Sequence, residues 1–488
     1  MGPEKSENLK TKLYQETFRP QFHFSSPLNW INDPNGLVFF DGEYHLFYQH
    51  NPMGIRWGHM SWGHAISPDL IHWQHLPLAI PEEDGVMIFS GGCVIDNNNT
   101  AGFAEKPGDV PMVAIYTGHA AGRNQSQNIA YSIDKGRTWK KYEYNPVLDI
   151  GVKDFRDPQV FWYEPHGKWV MSVVLATEKR IQFYSSPNLK EWKLLSSFGP
   201  AGDTSGIWEC PDLFEAPIKS EPGKTKWVLM HSPAPYMQYF VGNFDGTSFT
   251  SENPSVKIYR PDYGPDYYAA VVYKNNSAEA SPISIGWVNN WKYAQDIPTT
   301  PWRSAMSLPR VLRLTKIKEE WLLLQEPIPS ISTLRSAPVF QMKNRVIEKV
   351  DTLPIKSQQF ELDCSIESSA ASTFGLRFFS GTGHKMEVGY DNSSQTLYVD
   401  RSKTGNISFN EAFEKLGRYE TKLVLNDARL ELRVFVDKSI VEVFANMGRA
   451  VMTMQVFPDE IDSGVEVFCE NGKIFIENLT LWTIKSTW

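Results

Sequence analysis

Three carboxylates stand in unusual company along this chain: Asp33 in Trp30-Ile-Asn-Asp-Pro-Asn-Gly36, Asp157 in Arg156-Asp-Pro158, and Glu209 in Trp208-Glu-Cys-Pro-Asp212. Each alone has an ordinary explanation. Asp-Pro-Asn-Gly is favourable turn chemistry. Arg156 beside Asp157 suits an ion pair in a loop, and Trp208–Asp212 suits a strand end. Together the three suit glycoside hydrolysis, which needs two carboxyl groups in opposed protonation states with room for a sugar between them. A third carboxylate can hold ring hydroxyls and stabilise the positive charge that develops in the transition state.

Residues so far apart in sequence must be brought together by the fold, and the chain reads as all-β. Gly36–Phe40 and Glu43–Tyr48 are strand-like runs separated by Asp41-Gly42, a strong hairpin signal. Few stretches in the first 310 residues keep a helical period. A degenerate repeat is present. Ser67-Pro-Asp-Leu-Ile-His-Trp73 is echoed by Ser186-Pro-Asn-Leu-Lys-Glu-Trp192, more loosely by Ser132–Trp139, and most loosely by Asn243–Phe249. Each reads as a strand, a polar turn and an aromatic that re-enters the core, and a period of roughly 55–65 residues with several strands per unit suggests propeller blades.

A second set of marks keeps the same rhythm: Asp33-Pro34, Ser90-Gly91-Gly92, Asp157-Pro158, Glu209–Asp212 and Pro265-Asp266-Tyr267. Five marks imply five blades. The first strand of each blade lines the axis, so the three carboxylates, in blades one, three and four, are expected to converge on one pocket. Pro327-Ile-Pro329 and Ser330–Thr333 form a candidate linker, followed by alternating hairpins such as Leu430–Val436 and Ile440–Phe444 that indicate a β-sandwich. The expected fold is therefore a five-bladed β-propeller over residues 1–335, then a β-sandwich over 345–488.

Composition narrows the function classes. Net charge is −8 with no basic cluster, which argues against nucleic acid or an anionic membrane as partner. No apolar run approaches the ~20 residues of a membrane span, so no membrane insertion is expected. Cys93, Cys210, Cys364 and Cys469 make no C-x-x-C pair, and reduced buried thiols are the expectation for them. His59, His64, His72 and His75 lack the spacing of a metal site, and Asp96–Asn99 reads as a polar hairpin. Aromatic residues are 13% of the chain, which suits both aromatic strands and a sugar site. Sequons at Asn98, Asn124, Asn275, Asn392, Asn406 and Asn478 are weak evidence for secretion, and Met1–Lys10 has no apolar leader. The expected location is extracellular or periplasmic, with the cytoplasm left open.

The three carboxylate motifs, in this order, resemble glycoside hydrolase family 32, the group of levanases, inulinases and invertases, over nearly the whole chain. The resemblance implies a five-bladed propeller followed by a β-sandwich. It implies Asp33 as nucleophile, Glu209 as acid/base and Asp157 as transition-state stabiliser. It places Asn32, Gln49, Trp57, Phe89, Ser90 and Arg156 around the terminal fructosyl unit, with Trp30 and Trp287 as aromatic walls. The usual Phe-Ser-Gly-Ser reads Phe89-Ser-Gly-Gly92 here, so one hydroxyl is missing.

The implied activity is retaining cleavage of terminal β-fructosyl residues from fructan or sucrose, with no cofactor and no metal. An endo-acting levanase and an invertase or fructosyltransferase stand as alternatives. The mechanism calls for carboxyls roughly 5–5.5 Å apart. It also calls for a protonated Glu209, raised by burial or by neighbouring carboxylates.

Overall fold

The computed structural model describes residues 13–254, 256–275, 281–368 and 371–488, so the Met1–Lys10 segment read for a leader lies outside it. The strand-like runs form strands. Asn29–Phe40 and Glu43–Asn51 are joined by Asp41 and Gly42, both at positive φ (49° and 86°), the conformation that matches a tight turn to the twist of its strands.

Five mainly antiparallel sheets follow one another, each built on four main strands, with a fifth short strand added to the first and to the last. Blade I holds Asn29–Phe40, Glu43–Asn51, Ser61–Ser67 and Gln74–Ile80; blade II begins at Met87–Ile95, blade III at Phe155–Tyr163, blade IV at Trp208–Pro217 and blade V at Tyr268–Val272. These five first strands neighbour one another in a closed ring, I to II to III to IV to V and back to I. Trp302–Arg303, from the connection within blade V, pairs in parallel with Asn29–Trp30 and clasps the ring shut. The loose sequence repeat marks the end of each third strand. Ser67, Ser132 and Ser186 donate to Asp69, Asp134 and Asn188 at 3.0, 2.7 and 3.2 Å, closing the same polar turn in blades I, II and III.

All five first strands break register near the same end: between Ile31 and Pro34, between Ile88 and Gly91, opposite Ser172–Val174 in blade III, between Glu209 and Asp212, and between Tyr268 and Val271. Such bulges re-aim side chains that would otherwise alternate across the sheet. Asp157, Cys210 and Ala269 adopt positive φ there (63°, 48° and 52°). The Asp33–Gly36 run, whose composition suits a turn, is thus a bulged stretch of one continuous strand. Gly36 is required, because at φ 53° a Cβ would lie 2.7 Å from the Phe47 ring.

Pro329–Leu334 forms a tight 3-10 turn with Ile331 and Leu334 buried, and the next strand starts at Arg335. Two six-stranded antiparallel sheets then pack face to face. One runs from Arg335–Ile347 at one edge to Ala450–Gln455 at the other, and the second from Val350–Lys356 to Arg418–Lys422. Phe435, Phe444 and Val451 of this sandwich share a buried cluster with Ile31, Val271 and Met306 of the propeller. Arg310 is fully buried at the joint, bound to Asp262 (2.9 Å) and Glu442 (2.7 Å). All four cysteines are free and buried. Among the described residues, no helix is long and apolar enough to cross a membrane.

Candidate active site

The bulges of blades I, III and IV bring the predicted carboxylates together. The thiol of Cys210, next to Glu209, lies 3.5 Å from Asp33 Oδ2 and 3.7 Å from Asp157 Oδ2, and the Cys210 amide donates to Asp157 Oδ2 at 3.0 Å. Asp33 also accepts from Ser90 Oγ (2.8 Å) and Asn32 Nδ2 (3.1 Å). The Trp30 indole N–H holds the Asn32 carbonyl at 2.7 Å, which turns the amide N–H toward Asp33. These donors favour the carboxylate, but burial outweighs them and Glu209 adds repulsion, so the Asp33 pKa is pushed up to about 6.

Asp157 is pushed up to about 7, chiefly by burial; Arg156 opposes the shift, and Glu209 and Asp33 add to it. Its amide donates to Thr117 Oγ1 at 2.9 Å, anchoring the bulge to blade II. Arg156 places its guanidinium on Glu209 Oε1 (3.1 and 3.3 Å), on Gln125 (3.2 Å) and near Asp157 (3.9 Å). Tyr268, fully buried in the first strand of blade V, donates its hydroxyl to Glu209 Oε2 at 2.5 Å. The immediate partners of Glu209 are thus a guanidinium and a phenol.

Of the remaining predicted residues, Trp30, Trp287 and Phe89 pack in one cluster with Cys210 and Tyr268. Trp30 and Trp287 are fully buried, ring centroids 6.0 Å apart, with Trp291 4.8 Å from Trp287. Gln49 donates to the Ile88 carbonyl at 2.9 Å and so ties blade I to the strand carrying Phe89 and Ser90. Trp57 is 38% exposed and lies edge-on to Phe89 at 6.0 Å. At the departing position Gly92, Gln159 fills the space: a Cβ there would lie 2.7 Å from Gln159 Oε1.

Sequence reasoning missed Tyr268, Thr117, Gln125, Gln159 and Trp291. It also misplaced one mark. Asp266, expected to line the axis from blade V, faces the sandwich and pairs with Arg401 at 2.7 Å, and the residue that reaches Glu209 is Tyr268. The signal was the tyrosine two positions beyond Asp266.

The four histidines near the first blade are dispersed: His59 on Glu82, His72 on Asp69, His64 on His45 and His75 on Tyr14. Among the described residues, His384, Asp459 and Asp462 form one group with metal-ligand chemistry, in the sandwich. Asp462 there already accepts from Thr382 and His384.

Residues 23–327 match the model of the glycosyl hydrolases family 32 N-terminal domain, and residues 330–483 match that of the family's C-terminal region. The chain belongs to glycoside hydrolase family 32. Within this family it is 45% identical over 494 residues to a levanase of Bacillus subtilis (strain 168), spanning 98% of this chain and 72% of the relative. It is 38% identical over 520 residues to the extracellular exo-inulinase of Aspergillus awamori, spanning 97% and 96%. The crystal structure of exo-inulinase from Aspergillus awamori superposes with a TM-score of 0.93 at 37% identity, covering 97% of this chain and all of that one. Fructan 1-exohydrolase IIa from Cichorium intybus, at 24% identity and a TM-score of 0.84, shares the family fold.

Proposed function

We propose that this family 32 enzyme is a retaining fructan β-fructosidase that releases terminal β-D-fructofuranosyl units from levan or inulin, with sucrose as a secondary substrate. The observation that supports it best is the joining of Asp33 and Asp157 through the thiol and amide of the residue that follows Glu209. The levanase and exo-inulinase relatives support the substrate class. We take the residues up to 335 as the catalytic unit and 345–488 as the sandwich.

In this reading Glu209 donates a proton to the departing glycosidic oxygen while Asp33 attacks the anomeric C2 of fructose, giving a covalent fructosyl-enzyme. Glu209 then takes a proton from water, the water attacks C2, and fructose leaves with retained configuration. Asp157 stabilises the oxocarbenium-like charge and accepts from ring hydroxyls. Asn32, Ser90 and Cys210 hold Asp33 in line, and Arg156 and Tyr268 fix the two oxygens of Glu209. Trp30, Trp287, Phe89 and Trp57 wall the fructosyl site, and Gln49 supports it. No step requires a cofactor or metal.

The test is a time course of products from levan, inulin and sucrose, with Asp33→Asn and Glu209→Ala as controls. Fructose as the sole early product from levan and inulin, fructose with equimolar glucose from sucrose, and losses of several orders of magnitude in both variants are expected. Early oligosaccharides from levan would instead mean endo action. Oligomers accumulating at high sucrose would mean fructosyl transfer. Near-normal rates in either variant would overturn the residue roles.

A further inference from the structure

The edge of the sandwich is stitched to the strand that delivers a hydroxyl to Glu209. Ala450–Gln455 is the last strand of its sheet, and its outer edge is covered by the propeller segment 262–266. Tyr263 N–H donates to Val451 O (2.8 Å), Asp266 N–H to Thr453 O (3.2 Å), and Thr453 N–H to Asp262 Oδ1 (2.9 Å). Gly264 permits the approach, since a Cβ there would lie 2.1 Å from Thr453 O.

The Asp266 carboxylate is then gripped from both domains. Oδ2 accepts from Arg401 Nη1 (2.7 Å) and Gln455 N–H (2.8 Å), and Oδ1 accepts from Tyr293 Oη (2.5 Å). Arg401 Nη2 also donates to Tyr293 Oη at 2.9 Å. Asp266 and Arg401 are fully buried. Tyr267, the next residue, lies under the Arg310 guanidinium at 4.0 Å, and Arg310 is itself bound to Glu442 and Thr453 of the sandwich.

Tyr268 follows. Its hydroxyl meets Glu209 Oε2 at 2.5 Å, and two residues of extended chain reach only ~7 Å, so a displacement of Asp266 is passed on to that contact. Trp291, in the same connection as Tyr293, packs on Trp287, which is paired with Tyr268 across the sheet.

We propose that Asp266, with Arg401 and the edge strand Ala450–Gln455, is a positioning device for the acid/base: the second domain sets Tyr268 against Glu209 and is thereby part of the catalytic apparatus. The inference rests on Glu209 being the acid/base.

The test is a double-mutant cycle of Asp266→Asn and Tyr268→Phe, read with two substrates. One is sucrose, and the other is an aryl β-fructofuranoside whose leaving group needs little proton assistance. Each single variant should lower kcat on sucrose roughly 10- to 100-fold and spare fructosylation by the aryl substrate. The double variant should be no worse than Tyr268→Phe, because Asp266 acts through it. Additive losses, or equal losses on both substrates, would overturn the proposal and leave Asp266 as domain glue. Should Asp266→Asn not fold, Tyr293→Phe, which removes one hydroxyl from the carboxylate, completes the same cycle with the same two outcomes. Glu209→Ala separates the two levels. If it lacks the leaving-group signature, the acid/base reading falls and the inference with it. If it has the signature and the cycle is additive, the positioning inference alone falls.

Discussion

The Cys210 thiol sits between Asp33 and Asp157, 3.5 Å from one Oδ2 and 3.7 Å from the other. Burial and three surrounding carboxylates push its pKa well above that of an ordinary thiol, so it stays protonated and donates. A donor shared by two crowded carboxylates offsets part of their desolvation. Backbone geometry makes this possible: positive φ at Cys210 turns both its amide and its side chain toward Asp157.

Replacing that donor should therefore move a pH limb. In Cys210→Ala, Asp33 loses one of its three side-chain donors and its pKa rises further. A hydrogen bond to a charged group is worth roughly 1.5–3 kcal/mol, and a thiol sits at the low end, so the acid limb of kcat/KM should move up by about one pH unit. An unmoved limb would show that the thiol carries no such load.

The acid limb of the unmodified enzyme is a separate prediction. Asp33 attacks only as the carboxylate, and its pKa is raised to about 6. kcat/KM should accordingly rise with pH through about 6, well above the range of an ordinary aspartate. Asp157, raised to about 7, must also lose its proton to stabilise positive charge, so the rise should extend toward neutrality. A profile already flat down to the normal aspartate range would contradict this environment.

These carboxylates were legible in the sequence because their neighbours are chemically unusual, Pro or Cys-Pro on one side and Trp, Asn or Arg on the other. The turns were legible for the same local reasons, as Ser67/Asp69 and Ser132/Asp134 show. Tyr268 was not legible: a tyrosine in an apolar strand reads as packing, and only the bulge at Ala269 turns it toward Glu209. Asp266 was misread because the rhythm that marks blade starts carries no information about a partner, Arg401, 135 residues later in another domain. Gly92 looked like a lost hydroxyl, while its reason, the carboxamide of Gln159, lies in the next blade.

That last pair yields its own prediction. Gln159 donates to the Gly91 carbonyl at 3.1 Å from the space a side chain at position 92 would need. Gly92→Ser should lose that bond and cost about 1–2 kcal/mol, seen as a lower Tm. Adding Gln159→Ala opens the space, so the double variant should be less destabilised than the two single changes combined. Strict additivity would mean the two positions do not compete.

Stability should decline on both sides of a window near pH 6.5. His23 is fully buried at the domain joint, on Asp437 (2.8 Å) and Glu442 (3.1 Å). Burial opposes its charge, but these two carboxylates prevail and raise its pKa from 6.5 to about 9. A group raised on folding stabilises fully below its unfolded value and loses that contribution as pH climbs through the folded one, a loss on the order of 3 kcal/mol between pH 6.5 and 9. His45 and His75 behave oppositely. Burial lowers both to about 4, so they are neutral in the fold, and their contribution is lost as pH falls from 6.5 toward 4. Tm measured against pH should show both slopes. His23→Gln should lower Tm below pH 6.5 and flatten the alkaline slope selectively, while the acid slope persists. An alkaline slope unchanged in that variant would place the alkaline transition elsewhere than the joint between the two domains.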